Sequence, residues 1–144
     1  NDIADTDAPE NQMENIMPYV EENYSVSSNP EDRAYAGYSL GAKIAAEIYL
    51  AYPEEFAYFG LWSVSQDLTL MERDEDGDLS FANVMVGMGM YDTTIISYGN
   101  IPKFIQSLHQ LGIDYDFYTY GGAHDFNFWQ RMFTIFVRDY MNEK

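Results

Sequence analysis

No cysteine occurs in the 144 residues, which excludes a disulfide scaffold, a cysteine-ligated zinc site and a thiol nucleophile. Bases are scarce. Seven Lys and Arg stand against 24 Asp and Glu, and the formal net charge is −17. A field of that sign repels phosphate backbones and anionic lipid, so neither nucleic acid nor a membrane surface is an expected partner. Neutral or cationic partners fit it. No apolar run reaches membrane-spanning length, and no signal peptide is visible. Histidine occurs twice, and no spacing of His, Asp and Glu suggests zinc. The run Asp74-Glu75-Asp76-Gly77-Asp78 lacks the calcium-loop spacing and reads as an acidic surface turn. No metal or organic cofactor is expected.

Apolar residues make up 47% of the chain, with 13 Tyr and 9 Phe among them, enough to fill the core of one ordinary domain. We therefore expect residues 1–144 to form a single domain. The chain opens on Asn1 rather than Met and is expected to be a mature or excised segment of a longer protein.

Residues 1–8 are polar and expected to fray. Across 9–24, Met13, Ile16, Met17 and Val20 follow helical spacing and predict an amphipathic helix. A turn cluster at 27–32 leads to a strand at 33–36. A helix is predicted over 40–52, ended by Pro53, then a buried strand at 56–62. The acidic stretch 72–78 is a loop, and a strand follows at 83–88. A helix over 101–111 presents Phe104, Ile105, Leu108 and Leu111, with Gly112 as its cap. A strand at 115–120 precedes a last helix over 126–140, whose apolar stripe includes Trp129, Phe133, Phe136, Val137 and Tyr140. Alternating strands and helices imply a parallel sheet of about four strands covered on both faces. The chemistry of such sheets gathers at the carboxyl ends of the strands.

Three loops there can carry it. Gly37-Tyr38-Ser39-Leu40-Gly41 lies between a predicted strand and a predicted helix, the context of a nucleophile elbow. The glycines are read as leaving room for the neighbouring helix and strand. The turn lifts the Ser39 hydroxyl and turns the Leu40 N–H toward an oxyanion. A serine needs a base. His109 sits inside a helix beside Leu108 and reads as a helix-surface residue, whereas His124 follows a strand in Gly121-Gly122-Ala123-His124-Asp125. For the acid that orients the base, Asp92 follows the strand 83–88 at its carboxyl end. Asp125 ranks second, because adjacent side chains point apart. Asp114 and Asp116 lie at the wrong end of their strand, and Asp67 reads as solvated charge.

At these residues the chain resembles the family of bacterial feruloyl esterases and acetyl-xylan esterases, relatives of esterase D. Segments 16–26, 32–41, 56–60, 87–92 and 121–129 carry the likeness, and the Gly-Gly-x-His-Asp-x-x-x-Trp pattern ending at Trp129 is its most specific part. The resemblance implies a three-layer α/β-hydrolase fold lacking its N-terminal strands, with Ser39 as nucleophile, Asp92 as acid and His124 as base. It implies Leu40 as an oxyanion donor, with Tyr38 and Trp129 as candidate substrate-binding residues. The implied substrate is a feruloyl or acetyl ester on plant polysaccharide, hydrolysed by a secreted bacterial enzyme. The family usually has Leu-Ser-Met where this chain has Tyr38-Ser39-Leu40, and the larger Tyr38 is expected to change the packing behind the elbow. The missing strands would leave a sheet edge open to self-association. A hydrolase scaffold kept only for carbohydrate binding is the alternative reading.

Overall fold

The computed structural model describes residues 8–143, with side chains through Asn142. The expectation for residues 1–7 lies outside them, and Ala8 already begins a helix. That helix, α1, runs through Ala8–Asn11, a π-helical turn at Gln12–Ile16, and Met17–Asn23. Strand β1 (Ala34–Tyr38) leads into α2 (Leu40–Ala51), and β2 is Tyr58–Trp62. Strand β3 (Asn83–Gly89) is followed by α3 (Thr93–Tyr98) and α4 (Ile101–Gln110). Strand β4 (Tyr115–Tyr120) precedes α5, which continues from Phe126–Ile135 through a π-helical turn, Phe136–Tyr140, to Met141–Glu143.

The strands among the described residues form one parallel sheet in the order β1-β2-β3-β4. Parallel pairing at fixed register (Tyr38 beside Trp62, Trp62 beside Gly87) brings every carboxyl end to one edge. Side chains alternate across the sheet. Phe59, Leu61, Val84 and Val86 point to one face, where Ala42, Ala46 and Leu50 of α2 and Phe104 and Leu108 of α4 close over them. Trp62 and Met85 point to the other, against Phe128, Met132, Phe136 and Tyr140 of α5. Each fully buried Val, Leu, Phe or Met among them contributes about 1.5–3 kcal/mol of transfer free energy. Three layers result, as the strand–helix alternation implied.

Two local expectations are corrected. Ile16 is exposed rather than inward, because the π-helical turn inserts a residue and rotates the helix face past Met13. On α5 the buried stripe is Phe128, Met132, Phe136 and Tyr140, while Phe133 and Val137 are exposed. The helix carries two overlapping apolar stripes, and sequence spacing alone does not choose between them. Beyond the turn that follows β3, Thr93–Tyr98 forms a helix for which the sequence carries no stated expectation. Its first turn is capped by the Asp92 carboxylate, which accepts the Ile95 N–H.

Candidate active site

Ser39 stands between β1 and α2 with φ 55° and ψ −120°, left-handed backbone that a non-glycine residue rarely takes. Two features hold it there. Its N–H donates to the Trp62 carbonyl at 2.9 Å, continuing the β1–β2 ladder one residue past the strand. Its carbonyl accepts the Ala42 N–H at 3.1 Å and starts α2. Backbone strain of this kind persists where the surroundings over-determine it.

The two glycines of the elbow do different jobs. A Cβ on Gly37 would lie 2.1 Å from the Gly41 carbonyl oxygen, so the strand and the first turn of α2 touch backbone to backbone. A Cβ on Gly41 would meet nothing within 4 Å. The expected crowding holds at Gly37 and not at Gly41, which faces the open groove beside the elbow.

His124 reaches Ser39 from the far side of the sheet. Its Nε2 is 2.9 Å from Ser39 Oγ. Its Nδ1 is 3.1 and 3.0 Å from the two Asp92 oxygens. A carboxylate only accepts, so Nδ1 carries the proton and the unprotonated Nε2 accepts from the serine hydroxyl. Asp92 is fully buried and His124 half-buried. The loops bearing them are pinned together. The Met90 N–H donates to the Tyr120 carbonyl and the Tyr91 N–H to the Gly122 carbonyl, both at 2.8 Å. Gly89 makes that approach possible, since a Cβ there would sit 2.4 Å from the Gly122 oxygen.

The residues set aside fall elsewhere. Asp125 caps α5, accepting the Phe128 N–H at 3.0 Å. His109 is exposed and lies edge-on to Tyr115. Asp67 caps a short turn through Thr69. In the acidic run, Asp74 and Asp78 bond to the Asp76 N–H and to Ser80, and among the described residues no group of three or more His, Asp or Glu could hold a metal ion.

Beside Ser39 lies a groove of about 800 Å³, within the range of small-molecule sites, lined by Tyr38, Leu40, Trp62, Phe126, Trp129 and Phe133 among others. Tyr38 does not pack behind the elbow as expected. It is 43% exposed and stacks on Trp129, with ring centroids 4.0 Å apart and planes 14° apart. The Leu40 N–H opens α2, where a helix has donors with no acceptor of its own. One residue of this neighbourhood escaped the sequence reading. Ser63, just past β2, is buried and accepts the Trp129 indole N–H at 3.2 Å. Its position at a strand's carboxyl end was the available signal.

A family model, Esterase ("Putative esterase"), matches residues 11–140. The protein YjcH of Bacillus subtilis is 25% identical over 128 residues, a match covering 83% of this chain and 53% of YjcH. An endo-1,4-beta-xylanase/feruloyl esterase of Xylanibacter ruminicola is 27% identical over 120 residues, covering 83% of this chain and 16% of that protein. The chain therefore spans about half the length of one curated relative and a smaller share of the other. Among solved structures, the CE1 ferulic acid esterase of Anaeromyces mucronatus in complex with ferulic acid superposes with a TM-score of 0.72 at 24% identity, over 90% of this chain and 52% of that one. This likeness shows the α/β-hydrolase fold.

Proposed function

The chain belongs to the esterase family whose model spans residues 11–140, and on that premise we propose that it acts as a serine carboxylic-ester hydrolase. The observation that carries the reading is the unbroken line of contacts from Ser39 Oγ through His124 to the buried Asp92.

In this reading Ser39 Oγ attacks the ester carbonyl while His124 Nε2 takes its proton. The Asp92 carboxylate stabilises the imidazolium that forms and holds its ring. The Leu40 N–H donates to the oxyanion of the tetrahedral intermediate. A donor of that kind is worth about 2.7–4 kcal/mol of barrier. The ester C–O bond then breaks, and the leaving alcohol takes the proton from His124. Water, deprotonated by His124, attacks the acyl-enzyme, and the acid departs with Ser39 restored.

The groove argues for an acyl group with an apolar, planar body. Tyr38 and Trp129 form one wall, and aromatic rings stack on such walls. With the relatives' ferulic acid chemistry, this supports feruloyl esters, and acetyl esters as smaller occupants, on plant polysaccharide outside the cell. The strongly acidic surface favours such neutral substrates.

The deciding experiment is fluorophosphonate labelling of the protein, followed by hydrolysis of methyl ferulate and an aryl acetate. Labelling that disappears in Ser39→Ala and in His124→Ala is expected. Equal labelling of wild type and Ser39→Ala would sink the assignment.

A further inference from the structure

The indole of Trp129 touches material from three different strand ends. Its Nε1–H donates to Ser63 Oγ at 3.2 Å, just past β2. Its ring stacks on Tyr38, the last residue of β1 and the neighbour of Ser39. It also meets the His124 imidazole edge-to-face, with centroids 4.9 Å apart and planes at 87°. A ring stacked on one face and hydrogen-bonded at one edge is restrained from rotating about its own bonds.

Ser63 is an unusual place to find that anchor. It is 1% exposed and holds left-handed backbone at φ 54°, the second non-glycine residue to do so beside Ser39 among the described residues. Its N–H donates to the Gly87 carbonyl at 2.7 Å, which fixes it to β3. A buried hydroxyl is costly unless it is hydrogen-bonded. The partner of this one is the indole N–H, and the ester-hydrolysis steps use neither group.

His124 needs such support. Its hydrogen bonds hold the ring only through Nδ1, to Asp92, and Nε2, to Ser39. The Trp129 ring packed against the imidazole restrains the ring where those bonds do not.

We propose that Trp129 is a positioning residue for His124 and that Ser63 Oγ is the latch that locks it. The proposal rests on the triad reading above. Its specific claim is that the Trp129–Ser63 bond acts on the rate of acyl transfer through the orientation of His124, in addition to any wall the indole offers to substrate.

The test compares wild type, Trp129→Phe, Ser63→Ala and the double variant in fluorophosphonate labelling rate and in kcat and KM for an aryl acetate. Misplacement of a catalytic group by about 1 Å can cost on the order of 100-fold. A looser latch should cost about 10-fold in labelling and in kcat for each single variant, with KM changed less than about threefold. The double variant should be no slower than the slower single one, because both remove the same bond. Proton NMR reads the same geometry without turnover: the downfield His124 Nδ1–H resonance should be sharp in wild type and broadened in both variants. A Ser63→Ala protein with wild-type rate and resonance overturns the proposal. So do multiplicative effects in the double variant, or a Trp129→Phe protein whose KM rises while kcat holds. If wild type itself fails to label, the triad reading falls, and the resonance still decides whether the latch orients the imidazole.

Discussion

The buried Asp92 carboxylate serves two elements with one oxygen: Oδ1 lies 3.1 Å from His124 Nδ1 and also accepts the Ile95 N–H at 3.1 Å. The residue that holds the His124 imidazole is thereby also the cap of α3, and the loop between β3 and α3 cannot shift without moving both contacts.

Two substitutions separate these duties. Asn caps a helix about as well as Asp, so Asp92→Asn should keep its urea midpoint close to wild type. It removes the charge opposite the imidazolium, and kcat for ester hydrolysis should fall on the order of 10⁴-fold. Asp92→Ala loses the cap as well and should be less stable by a further ~1 kcal/mol or more. Equal hydrolysis by wild type and Asp92→Asn would remove Asp92 from the triad.

Asp125 offers the matching control. It adjoins His124 in sequence, but its side chain bonds the Phe128 N–H and starts α5. Asp125→Asn should retain hydrolysis within about threefold, whereas Asp125→Ala should lose about 1 kcal/mol in urea denaturation. A collapse of activity in Asp125→Asn at unchanged stability would mean that the acid was assigned to the wrong residue.

The elbow glycines predict opposite outcomes for one substitution. In Gly37→Ala the new methyl would overlap the Gly41 carbonyl carbon at 2.3 Å, and backbone on both sides leaves it nowhere to go. Loss of more than about 4 kcal/mol, or failure to fold, is expected. In Gly41→Ala the methyl meets open space inside a helix, and alanine there is favoured over glycine by about 0.5–1 kcal/mol. Thermal melts of the two variants check the pair. A destabilised Gly41→Ala would contradict the open space at Gly41 on which the prediction rests.

What was legible in the sequence was mostly periodicity and order. The four strands, their parallel arrangement and the sequence Ser39, Asp92, His124 along the chain follow from alternating apolar segments and from where strand ends must lie. What was hidden depended on packing partners far apart in sequence. Spacing cannot say which of two apolar stripes on α5 meets the sheet, because Phe133 and Phe136 are equally apolar and both meet Trp62, and only the fold buries Phe136 while leaving Phe133 exposed. The π-helical turn that exposes Ile16 leaves no mark in composition. Ser63 carries no motif, and its role exists only because Trp129 arrives from α5. Helix α3 is short, and in the sequence its cap, Asp92, reads only as the acid of the site.

The last prediction concerns alkaline stability. Tyr49 is buried, and its hydroxyl donates to the Leu79 carbonyl at 2.7 Å. Burial pushes its pKa well above the ordinary 10.0, and the charges of Asp78 and Asp114 push it the same way. Tyr140 is raised for like reasons, burial first and then Asp116. A phenol whose pKa is higher in the folded state keeps its proton there after the unfolded chain has lost it. Below pH 10 both states are neutral and the contribution is fully present. As pH rises past 10 the unfolded state binds fewer protons, and stability falls by up to about 1.4 kcal/mol per pH unit for each such Tyr. Tyr49→Phe should therefore be less stable than wild type at neutral pH by about 1 kcal/mol, the worth of the lost hydrogen bond. Its stability should also decline less steeply above about pH 10, so that the two curves converge. Urea denaturation across that range, with phenolate absorbance followed in parallel, measures both quantities. Parallel curves for wild type and Tyr49→Phe would show that Tyr49 ionises alike in both states, and the buried hydroxyl would then be no obstacle to the alkaline form.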